Sequence, residues 1–167
     1  MLNRLKRRFK SNLQLAKENG VIIGKNVIIG SGCNFGSEPY LITLHDKVRL
    51  SFDVTFITHD GGTWAFRDIE KYKNVIKYGK IEIGENSFVG CKTILMPGIH
   101  IGKRCVIGAG SVVTHDIPDN SVACGVPAKV IMSTYEYAEK ALENNIEYDE
   151  QEYLSDKKKF LIEHLDD

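Results

Sequence analysis

Paired cysteines, long apolar runs and an excess of either charge are all missing from this sequence, and each absence narrows what it can be. Cys33, Cys91, Cys105 and Cys124 form no CxxC pair and no cluster with His at zinc-site spacing. That argues against a disulfide framework or structural zinc, and for reduced, packed thiols. No apolar stretch approaches the roughly 18 residues of a membrane span, and the basic N-terminus lacks the uninterrupted apolar segment of a signal peptide. A cytoplasmic protein is expected. The 22 Lys and Arg are balanced by 22 Asp and Glu, so no whole-molecule field gathers nucleic acid or an anionic membrane. A chain of 167 residues suits one domain with terminal appendages.

What the sequence has is a period of six. Ile83, Val89, Leu95, Ile101, Ile107 and Val113 fall six apart, and Gly84, Gly90, Gly102 and Gly108 follow four of them. Ile23, Ile29 and Phe35, trailed by Gly24, Gly30 and Gly36, do the same earlier; the pattern then slips by one residue and resumes with Ile42, Val48 and Val54. A second row runs two residues ahead, from Val21, Val27 and Cys33 to Ile81, Ser87, Thr93, Ile99, Cys105 and Ser111. Residues two apart share one face of a strand. In an α-helix, residues six apart point about 120° away from one stripe, which excludes a buried helical face.

Short strands with tight corners remain. The glycine after each inward aliphatic is expected to supply the positive φ of a corner. Three six-residue sides close a triangular turn, and stacked turns pair strand on strand at about 4.8 Å around a continuous apolar column. The expected fold is an all-β solenoid, a parallel β-helix of about five triangular coils over residues 21–132, with Cys33 and Cys105 facing inward. A β-sandwich would lack the fixed six-residue phase.

Residues 1–20 place Leu2, Leu5, Phe9 and Leu13 at helical spacing among basic residues. This reads as a basic N-terminal helix that either caps the open first coil or makes weak contact with an anionic membrane surface; the cap is the favoured reading. Residues 133–167 leave the repeat and carry eleven acids against four lysines, an acidic tail with two short helices expected. Between them the repeat is suspended by a loop insertion at 60–80 that holds Trp64, Phe66 and Arg67. Long loops in compact domains are usually functional or disordered, and this one is too aromatic for simple disorder.

Three stretches carry a family likeness: Ile57–Asp60 (ITHD) leading into the loop, Ile107–Pro118 (IGAGSVVTHDIP), and Gly125–Ile131 (GVPAKVI). With the repeat they make the chain resemble the hexapeptide-repeat acyltransferases, in particular the galactoside, maltose and surface-polysaccharide O-acetyltransferases. The resemblance spans about residues 20–132 and implies a left-handed solenoid, an exception to the usual right-handed crossover. It also implies acetyl-CoA as acyl donor, no metal, a homotrimer with sites at subunit interfaces, and a small acceptor, a saccharide, acetylated on a hydroxyl.

The resemblance assigns residues as well. His59 matches the catalytic histidine, deprotonating the acceptor hydroxyl and then protonating the departing thiolate; His is the natural base near neutral pH. Asn34, before Phe35, matches a substrate-binding Asn, and Glu38 falls near an acidic substrate contact; either is equally a turn former. Asp53 either orients His59 or sits at a corner. Trp64 either stacks on a sugar ring or anchors the loop. Cys91 matches the position whose backbone N–H receives the oxyanion; nothing in the sequence pairs its thiol with a base, which favours direct transfer in a ternary complex over an acyl-cysteine. On the donor side, Ala109 and Gly110 leave room for the pantetheine arm, Thr114 and His115 border it, and Lys129 reaches its phosphates as a point charge, unless it is only a solvated surface charge.

Other activities compete with this one. A different acyltransferase would acetylate an amino sugar, serine or a drug. A zinc enzyme of the γ-carbonic anhydrase kind needs two histidines five residues apart, whereas His59, His100 and His115 are spaced by 41 and 15 residues. A noncatalytic scaffold would not need both His59 and the GVPAK stretch.

Overall fold

Strands of two or three residues cannot stand alone; here each is held by the strand one coil above and one below. The computed structural model describes residues 11–165. β1 (Ile22–Ile23), β3 (Ile42–Leu44), β6 (Ile81–Ile83) and β9 (His100–Ile101) form one parallel sheet. β2 (Ile28–Ile29), β4 (Arg49–Leu50), β7 (Phe88–Val89), β10 (Val106–Ile107) and β12 (Ser121–Gly125) form the second. β5 (Thr55–Phe56), β8 (Ile94–Leu95) and β11 (Val112–Val113) form the third. The three sheets are the faces of a parallel β-helix.

Both sequence rows point inward. Ile83, Val89, Leu95, Ile101, Ile107 and Val113 are fully buried, and so are Ile81, Thr93, Cys105 and Ser111. The polar members of the second row donate to corner carbonyls, Ser87 to Gly102 at 2.8 Å, Thr93 to Gly90 at 2.8 Å and Ser111 to Gly108 at 2.7 Å, which removes the cost of burying a hydroxyl. Burial pushes up the thiols of both Cys105, which is fully buried, and Cys33, which is partly buried.

Two features of the repeat differ from the sequence reading. The slip of one residue before Ile42 is a change of row: Leu44, Leu50 and Phe56 continue Ile23, Ile29 and Phe35, and Ile42, Val48 and Val54 belong to the companion row. The real irregularity is an insertion of three, since Ile23 to Leu44 spans 21 residues and Ile83 to Ile101 spans 18. The corner glycines also act differently. Gly36 has the expected positive φ, at 64, but Gly24, Gly84 and Gly90 do not; there the left-handed residues sit two positions later, among them Asn26, Asn86, Lys92 and, after Gly102, Arg104 at φ between 53 and 60. The glycines are there because coils touch: a Cβ on Gly84 would lie 2.6 Å from the backbone of Gly102, and one on Gly90 2.5 Å from the Ala109 nitrogen.

The open first coil is covered by a helix over Asn12–Glu18 that buries Ala16 and packs Leu13 on the core. Ser11 is extended and caps it through a reciprocal pair with Gln14, so this helix begins at Asn12. The membrane-contact expectation on Leu2, Leu5 and Phe9 lies outside the described residues. At the other end the parallel stacking stops, because β13 (Ala128–Ser133) turns back antiparallel onto β12. The GVPAKVI stretch is therefore a hairpin and not a further coil.

The chain divides into two compact units, one up to Thr134 and one from Tyr135 onward. The second holds three helical segments, the helix Thr134–Glu143 from its second residue onward, Glu150–Ser155 and Lys157–Leu165, where two were expected. Asp156 accounts for the extra one by capping a new start through the Lys159 N–H. Tyr148, Tyr153, Phe160 and His164 form its aromatic cluster, with Phe160 buried. No helix among the described residues is long and apolar enough to cross a membrane.

Candidate active site

Both insertions fall on the same edge of the solenoid. The three extra residues of the first coil sit between Phe35 and Ile42, where a 3-10 turn runs over Pro39–Leu41. The long one follows β5, because Leu44 to Ile83 spans 39 residues. Regular connections take four residues, as between Val89 and Ile94 or between Ile107 and Val112; this edge has the spare chain. It brings Glu38 beside Thr58 and His59, about twenty residues away in sequence.

The Oε2 atom of Glu38 accepts from the Thr58 hydroxyl at 2.6 Å and lies 3.0 Å from Nδ1 of His59. The Thr58 bond first, and the His59 bond after it, hold the Glu38 carboxyl below the usual glutamate range. An ionised carboxylate only accepts, so His59 carries its proton on Nδ1 and Nε2 is left as the basic nitrogen. The Glu38 side chain is 14% exposed and that of His59 43%, so the histidine faces solvent while its anchor is shielded.

The loop is tied down next to it. Asp60 donates its N–H to the Lys77 carbonyl, Gly79 donates to Thr58, and Lys77 bonds the Asp60 carboxylate at 2.7 Å. Tyr78 pairs with His59 across an antiparallel bridge, its ring 5.7 Å from the imidazole. Between them lies a cavity of about 210 Å³ that His59, Thr63, Trp64, Arg67 and Tyr78 help to line.

The other expected residues divide between two edges. Trp64 joins His59 in the cavity. Glu38 does not stand free as a substrate contact; its carboxylate is engaged by Thr58 and His59. Asp53 is a left-handed corner residue at φ 57, and Glu38 occupies the orienting position instead. Asn34 accepts from the Gly36 N–H at 3.0 Å, as a turn former does, and lines a separate hollow with Gly36 and Pro39. Thr114 and His115, hydrogen-bonded at 2.8 Å, follow β11 and so share the His59 edge. Cys91, Ala109 and Gly110 precede β8 and β11 and sit at the opposite end of the third sheet, where the Gly110 N–H bonds the Cys91 carbonyl at 2.8 Å. Gly110 has φ +70 and open space beside its Cα. Lys129 is exposed and pairs with Cys124 in the hairpin.

The two edges are far apart. Cys91 and Met96 bound one side of a coil, and five residues of strand cover roughly 16 Å at about 3.3 Å each. One chain thus cannot bring the Cys91 backbone and His59 to the same reacting atom. Thr58, Tyr78 and Arg67 were not singled out as site residues by sequence; counting the register of both insertions would have pointed to this edge. Elsewhere, His45 bonds Glu82 and the His100 backbone N–H bonds Asp116. No group of three His, Cys, Asp or Glu suited to a metal occurs among the described residues.

Known proteins share this architecture. Residues 80–115 match the bacterial transferase hexapeptide family, in its form of six repeats. Protein CapG of Staphylococcus aureus is 43% identical over 144 residues, covering 81% of this chain and 82% of that one. The galactoside O-acetyltransferase of Escherichia coli (strain K12) is 37% identical over 113 residues, 65% of this chain and 54% of that protein; the chain thus spans about half its length. A hexapeptide-repeat acetyltransferase of Vibrio cholerae O1 biovar eltor, solved with acetyl-coenzyme A, superimposes with a TM-score of 0.56 and 25% identity over 68% of this chain and 60% of that one.

Proposed function

The chain belongs to the hexapeptide-repeat transferase family, and from that premise we propose that it transfers an acetyl group from acetyl-CoA to a hydroxyl of a saccharide. The observation that carries this reading is the pair formed by Glu38 and His59. With Glu38 accepting from Nδ1, the free Nε2 takes the proton of the acceptor hydroxyl as its oxygen attacks the thioester carbonyl. The carbon–oxygen bond forms, the carbonyl electrons move onto an oxyanion, and a backbone N–H at Cys91 receives that charge. Collapse then breaks the carbon–sulfur bond, and Nε2–H returns the proton to the thiolate of coenzyme A. Transfer is direct, with no acyl-cysteine.

His59 and Cys91 lie at opposite ends of one sheet, so the Cys91 that serves a given His59 belongs to a second copy. A left-handed solenoid of about five coils assembled as a trimer supplies three such pairs by one rotation. The donor lies along the second copy's edge, its arm against Ala109 and Gly110 and its phosphates near Lys129, while Thr114 and His115 flank it from the His59 side. Asn34 borders the acceptor from the adjoining hollow.

The test is thiol release from acetyl-CoA by wild type and His59→Ala over galactosides, glucosides, nucleotide sugars and serine. Turnover with at least one saccharide, reduced roughly 100-fold or more in the variant, is the expected result. If coenzyme A does not bind, the reading is wrong.

A further inference from the structure

The loop over residues 60–80 is more basic than the chain that carries it. It holds Arg67, Lys71, Lys73, Lys77 and Lys80 against Asp60, Asp68 and Glu70, whereas the whole chain is neutral. Two of its lysines are taken up by ion pairs within the loop, Lys73 with Glu70 and, at the lining of the His59 cavity itself, Lys77 with Asp60. Arg67 lines the same cavity as His59, and its guanidinium has no ion-pair partner among the described residues. Beside it Trp64 is 78% exposed, although the turn that carries it is fixed by Asp60 bonding to the Gly62 N–H and by buried Thr63. A large aromatic face and an unpaired planar cation, both standing free on an anchored loop next to a general base, form a recognition surface without its ligand.

We infer that Arg67 selects acceptors bearing an anionic group close to the reacting hydroxyl, that is, an acidic saccharide whose ring stacks on Trp64. The inference rests on the acetyl-transfer reading above and narrows its acceptor. The donor does not account for Arg67: the phosphates of coenzyme A lie a whole pantetheine arm from the thioester, and the thioester must be at His59. A guanidinium in a cavity pairs with a carboxylate or a phosphate through charge-assisted hydrogen bonds, so the shared requirement is the anion.

The experiment compares kcat/KM for a uronic acid disaccharide, its neutral hexose counterpart and the corresponding hexose phosphate, in wild type, Arg67→Ala and Arg67→Lys. Wild type is expected to favour one or both anionic acceptors by about tenfold or more. Arg67→Ala brings that ratio close to one through KM for the acceptor, Arg67→Lys retains part of it, and KM for acetyl-CoA stays in place. Equal use of neutral and anionic acceptors by wild type overturns the inference and leaves acetyl transfer standing. A ratio that Arg67→Ala does not move, or a KM shift for acetyl-CoA instead, also overturns it. Acetyl-CoA binding without transfer to any saccharide sinks the acetyl-transfer reading itself.

Discussion

A neutral imidazole has one donor and one acceptor nitrogen, so whatever engages the donor decides which atom is the base. At His59 that choice is made by Glu38. Replacing it with Gln keeps the shape and removes the charge; kcat is expected to fall roughly 10- to 100-fold, less than on losing the base, with KM for acetyl-CoA unchanged. Steady-state kinetics with both substrates varied separates this from a general folding defect. Thr58 is the larger cause of the lowered Glu38 pKa. In Thr58→Val the carboxyl is expected to titrate closer to an ordinary glutamate, which carbon-detected NMR of labelled glutamate reads directly. The sign for stability follows from the depression: the contribution of Glu38 is complete above the ordinary glutamate range and is lost as pH falls through the lowered native value.

At the scale of a coil, corner glycine and corner asparagine do different work. Gly84→Ala forces a methyl to 2.6 Å from the Gly102 backbone, which neither coil can yield, and about 1–3 kcal/mol of destabilisation is expected. Asn86→Gly, at φ 60, relieves a left-handed side chain but gives the unfolded chain more freedom to lose on folding, so a change within about 1 kcal/mol is expected. Thermal melts compare the two, with roughly 2–4 °C per kcal/mol for a chain of this size. Ser87→Ala leaves the buried Cys105 N–H without its acceptor and Gly102 without its donor, a loss of about 1–3 kcal/mol.

For the whole molecule, the separation of the two edges is a statement about assembly. If His59 works with the Cys91 edge of another copy, two inactive variants can repair each other. Denatured His59→Ala mixed with Ala109→Trp and refolded together is expected to regain activity, approaching about a quarter of wild-type sites when copies mix at random. The separately refolded proteins stay inactive. A solution mass of three chains accompanies the recovery; no recovery in mixed oligomers of that mass would mean that each chain builds its site alone.

The six-residue rows of Ile, Val and Leu were enough to identify a solenoid, because only a coil of fixed length keeps every inward position in phase. That His59 and Trp64 come together at one cavity was legible through the ITHD stretch and the aromatic loop it opens. The slip at Ile42 and the action of the corner glycines were misjudged for one reason: both depend on contacts between coils, and sequence spacing records only the path within a coil. The antiparallel return at Ala128–Ser133 likewise hides in a stretch as apolar as the repeat before it. Glu38 looked like a substrate contact or a turn former. Its role as the anchor of His59 became visible only when two insertions of unequal length were stacked on one edge. Composition and periodicity determine which residues face the core, since burial of apolar surface acts on each residue separately. Which polar groups meet is decided by how many residues each coil spends at its corners, and that is fixed only when the coils are laid on one another.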